Sequence, residues 1–89
     1  MARVQHEMLD KCELAAEGGT CDSLYELGLI YSTGRGVDVD LVTAHKWFNL
    51  AAMRGSEAAR SYRADLAREM SHTEVAEAQR QAREWLAAH

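Results

Sequence analysis

Apolar residues recur every three or four positions along nearly the whole chain, the spacing that places them on one face of a helix. Around Ala44, Trp47 and Phe48, for example, apolar side chains form a broad stripe. The pattern predicts five helices, at residues 3–17, 21–33, 41–54, 56–70 and 71–88. Proline is absent and good helix formers are abundant, so we expect an all-α fold.

Residues that favour particular backbone conformations mark the ends of these helices. Gly34 and Gly36 follow the second predicted helix, and glycine readily adopts the positive φ of a tight turn. Asp40 stands where its side chain can cap the third predicted helix, because an aspartate oxygen accepts a bond from an otherwise free backbone amide. Ser71 and Glu74 have the spacing of a capping box, in which each side chain accepts a bond from the other residue's amide.

Short segments of the chain recur at a separation of about 38 residues. The matching pairs are Ala44–Trp47 with Ala82–Trp85, Leu27–Tyr31 with Leu66–Met70, and Leu14–Gly19 with Leu50–Gly55. A fixed period of this length is typical of solenoids built from helix pairs. Small residues such as Gly28 and Ala44 let paired helices approach closely, and we expect a large side chain of the partner helix, Trp47 or Tyr31, to fill the space beside them.

Residues 23–55 resemble a Sel-1-like repeat, a tetratricopeptide-like pair of helices. The family pattern is matched at the expected spacing by Leu27, Gly28, Tyr31, Gly34, Gly36, Val37, Asp40, Ala44, Trp47, Phe48, Ala51, Ala52 and Gly55. Only its first position departs, where Ser23 replaces the usual alanine. The resemblance implies antiparallel helix hairpins stacked into an α/α superhelix that serves as a scaffold or adaptor. It implies no catalytic residues, no metal and no cofactor.

The resemblance also suggests how a single domain of residues 1–89 is divided. One full repeat covers about 20–55, preceded by a degenerate half-repeat at 1–19 and followed by a capping repeat at 56–89. The last part is similar to the capping end common in bacterial Sel-1-like proteins. A solenoid needs such polar caps because an open end would expose its core.

The charge and the hydropathy of the chain narrow the range of functions. A net charge of −4 argues against a general nucleic-acid-binding protein, which would carry a basic excess. No apolar run of about 18 residues is present to span a membrane, and the N-terminus lacks the apolar core of a signal peptide. We therefore expect a cytoplasmic protein with no membrane contact. The sequence also lacks a convergent set of polar groups typical of an enzyme.

Cysteine, histidine and the aromatic residues have simple structural interpretations. Cys12 and Cys21 do not have the spacing of a zinc site, and two free thiols are favoured over a bridge between them. The histidines fall on different predicted segments and are interpreted as surface residues: His6, His45, His72 and His89. The aromatic residues at core spacing are expected to be buried: Tyr31, Trp47, Phe48, Tyr62 and Trp85.

Two groups of side chains are candidates for binding a partner. Leu24, Tyr25 and Leu29 on the second predicted helix would leave apolar surface, which marks partner sites. Arg60 and Arg63 on the fourth predicted helix could bind carboxylates of an acidic peptide. We predict a protein or peptide bound on the concave face of these two helices. The alternative is a structural module that forms homo-oligomers.

Each candidate group also has a structural interpretation. Leu24 could pack on the first or the fourth predicted helix, since core packing explains most apolar residues on a periodic face. The arginines could form a solvated face, balanced by the acidic residues of the same helix: Glu57, Asp65 and Glu69.

Overall fold

A computed structural model of the chain describes residues 21–89, apart from the side chain of Cys21. This part contains four helices and no strand: α1 (Cys21–Thr33), α2 (Leu41–Met53), α3 (Glu57–Glu69) and α4 (His72–Ala88). Their limits agree with the predicted ones to within a residue, and the all-α fold is confirmed. The predicted helix at 3–17 lies outside the described residues, as do Cys12 and His6.

The loop between α1 and α2 has the conformation that its glycines predict. Gly34 and Gly36 have φ values of 74° and 75°, a region that favours glycine because it has no Cβ. The amide of Asp40 donates to the carbonyl oxygen of Tyr31 at 3.0 Å. Its carboxylate then caps α2, accepting a bond from the amide of Thr43 at 3.1 Å and another from the Thr43 hydroxyl at 2.7 Å.

Serine side chains cap the N-terminal ends of α3 and α4. The Ser56 hydroxyl accepts from the Ala59 amide at 3.1 Å. Ser71 accepts from the Glu74 amide at 3.1 Å, and the Glu74 carboxylate accepts from the Ser71 amide at 2.9 Å. The predicted capping box is thus confirmed. Each cap accepts a hydrogen bond from a backbone amide that has no acceptor within the helix. A capping side chain contributes about 1 kcal/mol to stability.

Helix α2 is the centre of the described structure, because the other three helices all pack against it. Its buried residues cover more than half of the helix circumference: Ala44, His45, Trp47, Phe48, Leu50, Ala51 and Ala52. By contrast, α3 and α4 make little contact with each other. Leu24, Leu27 and Ile30 extend the core into α1, and Ala82 and Trp85 extend it into α4.

Close contact between α1 and α2 depends on Gly28. A methyl group placed on Gly28 would lie only 2.5 Å from the Cδ1 and Cε1 atoms of Phe48. The predicted close approach is therefore present, but at Gly28 the side chain that fills the space is Phe48 and not Trp47. The pairing expected at Ala44 stays a prediction. Trp47 instead meets Trp85 of α4, with the ring centroids 6.0 Å apart and the planes at 82°.

Candidate functional site

Three aromatic side chains, one from each of the first three helices, form a cluster that runs from the core to the surface. Tyr25 of α1, Phe48 of α2 and Tyr62 of α3 make up this aromatic cluster. The ring centroids are 5.9 Å apart for Tyr25 and Phe48, 6.0 Å for Tyr25 and Tyr62, and 5.4 Å for Phe48 and Tyr62. The last pair is stacked, with only 13° between the planes. Such pairs stabilise beyond the area that they bury.

Exposure differs sharply within the aromatic cluster. Phe48 is fully buried, Tyr25 is half-buried, and Tyr62 leaves 43% of its surface exposed. The prediction that Tyr62 belongs to the core was therefore wrong in part, because one face of its ring stacks on Phe48 while much of the residue faces solvent. Aromatic residues held firmly at a surface are typical of protein interfaces.

The environment of Tyr25 keeps its phenol protonated. Burial raises the pKa of Tyr25, and the neighbouring Tyr62 and the Glu26 carboxylate raise it further. Glu26 itself forms an ion pair with Arg35 at 3.2 Å. At neutral pH the Tyr25 hydroxyl is therefore neutral, and a side-chain hydrogen bond with Tyr62 is among the causes of its raised pKa.

The apolar residues predicted on α1 are not all on the surface. Leu24 is 0% exposed and packs in the core with Leu27, because residues three apart on a helix share a face. The expectation that Leu24 leaves apolar surface was wrong, and the alternative of core packing describes it. Leu29 is half-buried against the core, and Tyr25 joins the aromatic cluster.

The two predicted arginines are not part of the aromatic cluster. The Arg63 guanidinium donates to the Asn49 side-chain oxygen of α2 at 2.7 Å and is half-buried there. Arg60 is exposed one turn before Arg63 on the same side of α3. Tyr62 follows Arg60 by two residues, which places it on nearly the opposite side of a helix with about 3.6 residues per turn.

Sequence reasoning missed a buried histidine beside Arg63. His45 is 3% exposed, so its interpretation as a surface residue was wrong. Burial lowers the pKa of the imidazole, and the nearby Arg63 guanidinium lowers it further. Its Nδ1 atom has no hydrogen-bond partner among the described residues. The signal was present in the sequence, since His45 stands three residues before Phe48 on the same helical stripe.

The remaining described histidines are exposed. His72 lies at the start of α4, and His89 stacks on Trp85 with the ring centroids 4.3 Å apart. Across residues 21–89 no three His, Cys, Asp or Glu side chains are grouped so that they could hold a metal ion. No helix in the same range is long and apolar enough to cross a membrane. No pocket forms among the described residues either.

Comparison with known proteins gives one match to a family. Residues 21–56 match the model of the Sel1 repeat. This stretch, 36 of the 89 residues, is similar to a Sel1 repeat. Sel1 repeats generally mediate protein–protein interaction, and proteins of this family are typically scaffolds without catalytic activity. No curated protein matches the chain.

The aromatic cluster extends across the end of the matched Sel1 repeat. Tyr25 and Phe48 belong to the repeat itself, and Gly28 belongs with them because it makes room for the Phe48 ring. Tyr62 comes from α3, beyond residue 56. The cluster therefore connects the Sel1 repeat to the helix that follows it.

Proposed function

We propose that this chain is a non-catalytic scaffold that binds a protein or a peptide on the concave face formed by α1 and α3. The observation that supports it most strongly is the aromatic cluster, which exposes Tyr62 beside a half-buried Tyr25 where these two helices meet. The match to the Sel1 repeat, whose members generally bind proteins, also supports an interaction role.

The proposed contact surface revises the predicted one. Tyr25 and Leu29 are retained, and Tyr62 replaces Leu24 as the principal apolar contact because Leu24 is buried. Tyrosine suits the task, since it offers a large apolar area and a polar end with few rotatable bonds. Arg60 and Arg63 are proposed at the margin of the surface.

Binding would take place on an open surface. Because no pocket forms among the described residues, an extended peptide or a flat protein surface fits better than an enclosed small molecule. We propose neither a nucleic acid nor a membrane as partner, in keeping with the net charge of −4. The cytoplasmic location stays a prediction.

We also propose the domain division expected from the sequence, with a half-repeat at 1–19, the full repeat at about 20–55 and a capping repeat at 56–89. Contact between Trp47 and Trp85, which occupy matching positions of the recurring segment, supports it.

Affinity capture tests the proposed surface. The full chain, a Tyr62→Ala variant and a Val39→Ala variant serve as baits, and bound proteins are quantified by mass spectrometry. Val39 is a matched control because it is apolar and 57% exposed but lies in the loop before α2. We expect partners that are retained by Val39→Ala and depleted about tenfold by Tyr62→Ala. Equal recovery by all three baits would contradict the site.

A homo-oligomerising module is the alternative function. Light scattering over a concentration series separates the two: a mass that stays at that of one chain excludes the alternative, whereas a rise to two chains that Tyr62→Ala abolishes would assign the same surface to self-association.

A further inference from the structure

We propose that His45 is a pH-sensitive latch between α2 and α3, and that acidification releases α3 from α2. The release itself does not depend on the proposed function. Its consequence for binding rests on the proposed function, because a partner seated on α1 and α3 loses the contacts of α3 when that helix moves away.

Helix α3 buries the fewest residues of the four described helices. It packs mainly on α2, and Ala59 is the one residue of its span that is buried. Tyr62 stacks on Phe48 of α2. The Arg63 guanidinium donates to the Asn49 side-chain oxygen at 2.7 Å. Regions with few buried apolar contacts open at a lower free energy than the core of a protein, so we expect α3 to open before α1 and α2 separate.

His45 is buried where α2 meets α3. It is 3% exposed and stands one turn before Asn49, the residue that bonds Arg63 of α3, so it lies on the same side of α2. Its Nδ1 atom has no hydrogen-bond partner among the described residues. An imidazolium has N–H donors on both ring nitrogens. A charged His45 would therefore bury a donor without an acceptor as well as a charge.

The charges close to His45 oppose a second positive charge. Burial lowers the pKa of the imidazole, and the Arg63 guanidinium lowers it further. Helix α2 contains no Asp or Glu, and its own cation, the Lys46 ammonium, lies 4.2 Å from the centroid of the Trp47 ring. On α3, the residues one turn away from Arg63 are all uncharged or basic: Ala59, Arg60, Leu66 and Ala67.

Carboxylates elsewhere in the described chain do not compensate the imidazole. All but two of those between residues 22 and 89 are exposed to solvent, and none contributes to its lowered pKa. A proton on His45 would therefore meet Arg63 without a described carboxylate to offset it. The two half-buried carboxylates are both paired with arginines: Glu26 of α1 with Arg35, and Glu77 of α4 with Arg80.

Protonation of His45 therefore favours the open position of α3. An imidazole in water takes up a proton below about pH 6.5, whereas the closed contact keeps His45 neutral to a lower pH. The open form gains stability from this proton, so the latch holds at neutral pH and weakens as the pH falls. Between about pH 7 and about pH 5.5 the open form should become up to about eightfold more populated, the increase that an ordinary imidazole pKa allows.

Amide hydrogen exchange of the full chain, resolved by NMR at about pH 7 and about pH 5.5, tests the latch. The rates are converted to protection factors, which removes the intrinsic dependence of exchange on pH. We expect α3 amides to be less protected than α2 amides at both pH values, and their protection factors to fall by up to about eightfold on acidification. In His45→Gln, a neutral replacement, the same amides should show almost no fall.

Two charge reversals on α3 form a matched pair. Arg63→Glu replaces the cation beside His45 by a carboxylate, which can still accept a bond from the Asn49 amide. A carboxylate there stabilises the imidazolium, so the fall in protection should shrink or disappear. Arg60→Glu makes the same change at an exposed position one turn earlier and should leave most of the fall in place. Circular dichroism melts show that each variant is folded.

Three results would overturn the latch. Equal protection of α2 and α3 at both pH values would mean that the chain opens only as a whole. A fall that persists in His45→Gln would assign the proton to another group. Equal falls in Arg63→Glu and Arg60→Glu would place residue 63 too far from the imidazole to act on it.

Because the exchange experiment contains no partner, its result is separate from the proposed function. A confirmed latch, together with no partner that is sensitive to Tyr62→Ala, would overturn the proposed function alone. A partner that depends on Tyr62, together with no pH-dependent opening of α3, would overturn the latch alone.

Discussion

Helices α2 and α3 have the same length but opposite roles. Each has 13 residues, yet α2 buries seven of them and α3 buries only Ala59. Helix α2 is covered by three neighbours, whereas α3 packs mainly on α2 and leaves Tyr62 exposed. The comparison shows that one helix of this small domain holds the structure together while the other is free to present side chains to a partner.

The largest expected loss of stability comes from removing the aromatic-cluster ring that α2 contributes, and it should exceed the loss from removing the ring of α3. Phe48→Ala removes a fully buried ring from α2 and should lower the free energy of unfolding by about 3–5 kcal/mol. Tyr62→Ala removes a ring of α3 that is 43% exposed, so its loss should be much smaller. Urea denaturation of both variants measures the difference, and equal losses would contradict the comparison.

A smaller loss of stability is expected from adding a methyl group at Gly28, where α1 and α2 are in close contact. Gly28→Ala should destabilise the chain by about 1–3 kcal/mol because the new methyl group overlaps the Phe48 ring. Helix propensity alone predicts the opposite, a gain of about 1 kcal/mol. Ser61→Ala on the exposed side of α3 is the control and should be neutral or slightly stabilising. A stabilised Gly28→Ala variant would show that the contact is looser than described.

Replacing Asp40, the N-cap residue of α2, should destabilise the chain more than replacing Asp38 in the loop before it. Asp40→Ala removes two bonds to Thr43 and should cost about 1 kcal/mol. Asp38→Ala changes the charge equally in the same loop without removing a cap, and thermal unfolding should show almost no shift. If both variants melt alike, charge and not capping determines the stability of this end.

The pH dependence of stability should report the burial of His45 in α2, close to Arg63 of α3. The pKa of His45 is lowered in the folded chain, so below about pH 6.5, the ordinary imidazole value, the unfolded state takes up a proton that the folded state resists. Stability should therefore be complete above that pH and should fall as the pH drops toward the lowered pKa. His45→Gln should remove this part of the pH dependence in thermal melts.

A second group makes the pH experiment specific. Glu77 contributes in a separate range, because bonds from Arg80 lower its pKa from 4.5 to about 2. Its contribution is lost only in that more acidic window. A profile that His45→Gln does not flatten would contradict the burial of an unpaired imidazole.

Much of the fold could be predicted because it depends on local signals. Helix limits follow from periodicity, from the glycines at 34 and 36, and from the caps at Asp40 and Ser71. The match at residues 21–56 agrees with the spacing of the repeat motif. All these features are encoded within a few residues of where they act.

The candidate site was harder to predict because it depends on which helices become neighbours. Periodicity identifies the apolar stripe of a helix but not what covers it. Leu24 and His45 are buried, and Tyr62 is partly exposed, because of where α2 and α3 lie. The same placement directs Arg63 to Asn49.

The central claim is that the surface between α1 and α3 binds the partner. NMR spectra of the ¹⁵N-labelled full chain, titrated with a partner identified by the affinity capture, test it residue by residue. We predict that the largest amide shifts cluster around Tyr25, Leu29 and Tyr62, and that α4 changes little. Largest shifts along α4, with the tyrosines unaffected, would contradict the account.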